Sequence, residues 1–218
     1  LGIEDSTGKV RMRRIVLGRQ EVPPEPPAVN PATPVFTGHG PGSLRGAMIR
    51  PDLSRADFDT LTRQWGANLV RWQLIRAVGS PVDPASWDAW LQTMLAKFDE
   101  ALLWAQDNGV SMVLDLHSPP GGGDSIGGYQ DASGGLFTDP VAQDRFVAAW
   151  EHMARRYKGK RQIWGFDLAN EPDDSGVQPP CLDWQALALR TAQAIRKIDP
   201  ERTIIVEPAG MGNPAAFE

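Results

Sequence analysis

The feature that most constrains this chain is a regular alternation of short apolar runs with longer amphipathic ones. Val110–His117 (VSMVLDLH) is almost continuously apolar, as expected of a strand covered on both faces. Before it, Pro84–Asn108 carries Trp87, Leu91, Met94, Leu95, Phe98 and Leu102 at helical spacing, and Gly109 follows as a stop signal. Leu44–Ile49, Asn68–Trp72, Ile163–Leu168 and Arg202–Val206 read as further strands. Arg55–Trp65 reads as a helix with Phe58, Leu61 and Trp65 on one face. Val141–Tyr157 follows an Asp139 N-cap and Pro140 at the first helical position, and Leu182–Ile198 is the last helix, with Trp184, Leu187, Ile195 and Ile198 inward. Five strands and four helices in this order imply an α/β fold, a parallel sheet with helices outside.

Residues 1–42 differ in kind. Pro23, Pro24, Pro26, Pro27, Pro31 and Pro34 oppose both helix and central strand, so this stretch reads as an extended arm or linker. Residues 9–17 alternate basic and apolar side chains, as a short strand would, and the domain proper spans 43–218. Arg11–Leu17 resembles the start of a signal peptide, but its apolar part is too short. No run approaches the ~20 apolar residues of a membrane span. The net charge of −5 gives no basic face for nucleic acid and no attraction to an anionic membrane. Cys181 is the single cysteine, which excludes an internal disulfide and a cysteine-based metal site; it reads as an inert loop thiol. His39, His117 and His152 are too scattered for a metal motif. Gly121, Gly122, Gly123, Gly127 and Gly128 match no phosphate-binding fingerprint, which weakens a nucleotide-binding reading.

Chemistry concentrates in Ile163–Pro172, IWGFDLANEP. Pro172 ends the ladder, so Asn170 and Glu171 fall at the carboxyl end of a buried strand, the end that forms the active-site face in parallel barrels. A carboxyl group there suits proton transfer to a glycosidic oxygen, and the neighbouring amide suits a sugar hydroxyl. By strand alternation Arg71, Asp115 and Asp167 all point inward, whereas Trp72 and Trp164 point to the helices.

IWGFDLANEP resembles the signature of family-5 glycoside hydrolases, the cellulase family, in which Asn-Glu ends the fourth strand. NLVRW (68–72), VLDLH (113–117) and IIVEP (204–208) are similar to that family's second, third and fifth strand segments. The resemblance implies a (β/α)8 TIM barrel, incomplete here with about five βα units, of the ~250 residues and eight strands that a closed barrel takes. It implies a secreted, retaining hydrolase of β-linked polysaccharide that needs no cofactor. Glu171 would be the general acid/base, Asn170 would bind the hydroxyl beside the reacting carbon, Arg71 would orient the carboxylates, and His117 would line the cleft.

The nucleophile expected from the resemblance is a Glu ending a seventh strand, and it lies outside this chain. The expectation is therefore a fragment of a longer enzyme, with an inactive carbohydrate-binding barrel as the alternative. Glu207, ending the fifth strand, reads as a cleft-lining or Arg-paired carboxylate rather than a replacement nucleophile. His117 is alternatively a hydrogen-bonded core residue beside Asp115. Tyr129, in the glycine-rich loop of 118–138, is either a sugar-stacking platform in a cleft wall or a loop anchor.

Overall fold

The computed structural model describes residues 3–4, 10–11, 43–77, 80, 83–121 and 135–217. Tyr129 lies outside these residues. So does the proline-rich arm, apart from a two-residue antiparallel ladder of Ile3–Glu4 with Val10–Arg11.

Five strands make one sheet: β1 (Gly46–Ile49), β2 (Leu69–Gln73), β3 (Ser111–Asp115), β4 (Ile163–Asp167) and β5 (Thr203–Ile205). Every neighbouring pair is parallel, and spatial order follows chain order from β1 to β5. That order decides the fold. A doubly wound sheet reverses direction at a switch point, whereas a barrel wall adds each new strand on the same side. The chain never reverses, so the sheet is five consecutive strands of a (β/α)8-type wall. The connecting helices are α1 (Arg55–Asp59), α2 (Pro84–Asn108), α3 (Pro140–Tyr157) and α4 (Trp184–Ile198).

Local chemistry sets the helix ends. Ser54 and Asp57 form a reciprocal capping box on α1. The side chains of Asp83, Asp139 and Asp183 accept from the backbone N–H groups of Ser86, Val141 and Ala186, capping α2, α3 and α4. Gly109 ends α2 in the left-handed region at φ 65°, where a side chain is strained.

The helix expected over Arg55–Trp65 is α-helical only to Asp59 and then widens into a π-helical turn, Thr60–Gln64, closed by Trp65 N–H donating to the Thr60 carbonyl at 3.1 Å. The wider turn carries Trp65 off the face it would share with Phe58 and Leu61. Trp65 is 76% exposed, not packed inward as its spacing suggests.

The strand faces divide as the pleat requires. Val70, Trp72, Met112, Leu114 and Phe166 are buried with the helices. Trp72 packs against Phe98 and Trp104, Trp150 against Phe166, and Phe146 against Trp184, with ring centroids 5.3–6.5 Å apart. Register aligns the opposite face in layers. Arg71 is level with Val113 and Gly165, and one step nearer the carboxyl ends Gln73, Asp115 and Asp167 are level with each other. Arg71 thus rises from a level where Gly165 has no side chain into one that holds two carboxylates.

Candidate active site

At the carboxyl ends of β2–β5 four acidic or amide groups converge on Arg71. Its Nε–H donates to Asp167 Oδ2 at 2.8 Å, and Nη1 and Nη2 both reach Asn170 Oδ1 at 3.2 Å. Nη2 donates to Glu207 Oε1 at 2.7 Å, and Nη1 pairs with Asp115 Oδ2 at 3.2 Å. A guanidinium only donates, so the amide oxygen of Asn170 faces it and the amide nitrogen is turned away.

One positive charge thus faces three carboxyl groups in a largely buried setting. Burial pulls Arg71 down, but Asp115, Asp167 and Glu207 outweigh it and hold the guanidinium above its ordinary range. Asp167 is pushed up to about 8 by burial and by the charges of Asp115 and Glu207, against the pull of Arg71.

His117 joins this network through Asp115, whose Oδ2 lies 2.9 Å from Nδ1. Gln73 Nε2 is 3.1 Å from the same nitrogen. One ring nitrogen cannot both donate to the carboxylate and accept from the amide. A hydrogen bond to a charged group contributes about 1.5–3 kcal/mol against roughly 0.5–1.5 for a neutral pair, so the bond to Asp115 prevails and Nδ1 carries the proton. In the neutral ring Nε2 is then the acceptor; it is buried and without a protein partner among the described residues.

Glu171 follows Asn170 at the end of the β4 segment, and its side chain is exposed. Its backbone is left-handed, at φ 44°. Its N–H donates to Glu207 Oε2 at 2.8 Å. Among the described residues Arg71 does not reach the Glu171 carboxylate directly; it reaches Asn170 and Glu207, the residues on either side of it. The main chain of Glu207 is itself fixed, its carbonyl accepting from Trp184 Nε1 at 2.7 Å.

Of the residues singled out in the sequence, the structure brings Arg71, His117, Asn170, Glu171 and Glu207 to one end of the sheet. Asp115 and Asp167 join them as the inward carboxyls that strand alternation foresaw. Gln73 and Trp184 were not foreseen as site residues: Gln73 shares Arg71's alternation and was legible, whereas Trp184 has only a helical pattern, which reads as core. Among the described residues no group of three or more His, Cys, Asp and Glu side chains is arranged to hold a metal ion, and no helix is long and apolar enough to cross a membrane.

The fold and this end of it define a barrel-type α/β protein with a carboxylate, amide and guanidinium site at the carboxyl ends of its strands. The chain belongs to the cellulase family, glycosyl hydrolase family 5, whose family model matches residues 36–216. It is 35% identical over 113 residues to endoglucanase C of Acetivibrio thermocellus, a match covering 51% of this chain and 30% of that one. A solved glycoside hydrolase is 33% identical with a TM-score of 0.53, over 73% of this chain and 47% of that one. A β-glucanase from Saccharophagus degradans shares the fold at 21% identity and a TM-score of 0.57, over 81% of this chain and 54% of that one. The chain spans about half the length of these solved relatives.

Proposed function

We propose that this chain supplies the acid/base half of a retaining β-glycan hydrolase, with Glu171 as the general acid/base and the nucleophile on a later strand of the full-length protein. The observation that carries this reading is the placement of Glu171. It is an exposed carboxyl at the end of β4, next to an amide whose oxygen is fixed by Arg71. In the first step the Glu171 carboxyl gives its proton to the glycosidic oxygen while the nucleophile attacks the anomeric carbon and the leaving sugar departs. In the second, the Glu171 carboxylate takes a proton from a water that attacks the same carbon and frees the nucleophile. Two carboxyls ~5–5.5 Å apart perform this double displacement without a cofactor.

Asn170 turns its amide N–H groups toward the hydroxyl beside the reacting carbon, and His117 Nε2 accepts from a hydroxyl of the same sugar. Arg71 holds the Asn170 amide oxygen from beneath and pairs with Glu207. The endoglucanase relative supports β-glucan as the substrate class. A polysaccharide substrate is met outside the cell, which favours secretion. Tyr129 stands as a sugar-stacking candidate of the third βα loop.

Glu171→Gln in the full-length protein tests the assignment. Turnover of a soluble β-glucan, measured by reducing ends, should fall by about 10²–10⁴-fold while glucan binding persists. Undiminished turnover removes Glu171 from this role.

A further inference from the structure

Glu171 is one of two non-glycine residues with positive φ among the described residues; Met211, at φ 60°, is the other. The two are neighbours in space. Met211 N–H donates to the carbonyl of Pro172 at 3.2 Å, and a Cβ built on Gly212 would stand 3.7 Å from Glu171 Cγ. The segment after β5 therefore runs across Glu171, and Gly210, Met211 and Gly212 are all left-handed, with φ of 66°, 60° and 77°. A left-handed conformation is strained for a residue with a side chain, so something must hold Glu171 there. The second clip between the two segments is the hydrogen bond from Glu171 N–H to Glu207 Oε2 at 2.8 Å.

Glu207 suits the task. Its other oxygen accepts from Arg71 Nη2 at 2.7 Å, and its main-chain carbonyl accepts from Trp184 Nε1 at 2.7 Å. Glu207 is thus held to β2 through its carboxylate and to α4 through its main-chain carbonyl before it meets the backbone of Glu171. From this geometry we infer that Glu207 is a positioning residue: its carboxylate fixes the left-handed backbone of Glu171 and so aims the Glu171 side chain at the leaving-group oxygen. The inference rests on the acid/base reading of Glu171 and assigns Glu207 a role apart from contact with substrate. Glu207→Gln leaves one oxygen for two donors and sets an NH2 group against the other. Aspartate keeps the charge but is one methylene short of spanning Arg71 and Glu171.

The test separates acid catalysis from everything else by the leaving group. A sugar alkoxide needs a proton to depart, whereas 2,4-dinitrophenolate leaves unaided. Using the full-length protein, kcat/KM, which reports the first chemical step, is measured on cellotetraose and on 2,4-dinitrophenyl β-cellobioside. Glu207→Gln should lower kcat/KM on cellotetraose on the order of 10–100-fold and leave the dinitrophenyl substrate within about threefold of the parent. If Glu207→Gln does not accumulate folded, Glu207→Asp is assayed the same way. Equal losses on both substrates, or no loss on either, overturn the positioning role, because a structural or substrate-binding residue does not discriminate leaving groups. Glu171→Gln runs alongside. Should it show no leaving-group selectivity, the acid/base reading of Glu171 is what has failed, independently of Glu207.

Discussion

Asp115 and Asp167 stand directly opposite each other on β3 and β4, and each turns Oδ2 to Arg71, at 3.2 and 2.8 Å, leaving Oδ1 without a protein partner among the described residues. Two carboxyl groups so close do not both ionise readily. Burial, together with Asp115 and Glu207, pushes Asp167 up to about 8 from an ordinary value of 3.8, although Arg71 opposes this. Over that window the folded chain binds a proton that the unfolded chain has released, so stability falls as pH rises from about 4 to about 8. Asp167→Asn removes this proton uptake. Its Tm should decline less than that of the parent between pH ~5 and ~8, read by calorimetry, where 1 kcal/mol is worth about 2–4 °C in a domain of this size. Parallel declines would show that Asp167 does not hold the proton.

Arg71 is the cation that Asp115, Asp167 and Glu207 share, with its side chain 17% exposed. Arg71→Met leaves three carboxyls facing one another and should cost about 3–5 kcal/mol, measured by urea denaturation. Arg71→Lys keeps the charge but loses the planar fork that serves Asp167, Asn170 and Glu207 together. It should be less destabilising than Arg71→Met yet still impair turnover strongly. Equal stabilities for the two variants would contradict the charge argument.

Gly46 tests the closeness of β1 to β2. A Cβ there would overlap the Leu69 carbonyl, whereas a Cβ at Gly109 meets nothing and suffers only from its φ of 65°. Gly46→Ala should therefore cost more, roughly 1–3 kcal/mol from steric displacement of the strand backbone, against about 1 kcal/mol for Gly109→Ala. A reversed order in chemical denaturation would contradict the packing at β1.

Trp184→Phe keeps most of the ring packing against Phe146 but removes the indole N–H from the Glu207 carbonyl. Leaving that carbonyl without its donor should cost about 1–3 kcal/mol of stability. Turnover should also fall if Glu207 shifts. Unchanged stability by thermal denaturation would mean that water replaces the bond at no loss.

Much of this was legible in the residues. α2 runs over Pro84–Asn108 as expected because Asp83, Pro84 and Gly109 mark its ends chemically. The strands moved by only one or two residues at their ends, since the ladder starts and stops at backbone hydrogen bonds that side-chain polarity does not mark. β4 ends at Asp167 rather than Leu168, and β2 starts at Leu69 rather than Asn68. The inward set of Arg71, Asp115 and Asp167 followed from the pleat alone. The π-helical turn that exposes Trp65 was not legible, because Thr60–Gln64 contains neither Gly nor Pro to mark a break in the helix. Nor was the bond between Glu171 and Glu207, which joins residues 36 positions apart and depends on a backbone angle that no side-chain pattern encodes.

The partners of Arg71 come from β3, from β4 and its loop, and from the end of β5, so one side chain samples the relative alignment of four neighbouring strands. Side chains alternate in and out along a strand, and a slip of a single position would turn Asp115 or Asp167 toward the apolar helices and leave a carboxyl group there without its partner. The guanidinium thereby acts as an alignment gauge for the wall: its contacts are satisfied in one pairing of the strands and lost in the near neighbours of that pairing.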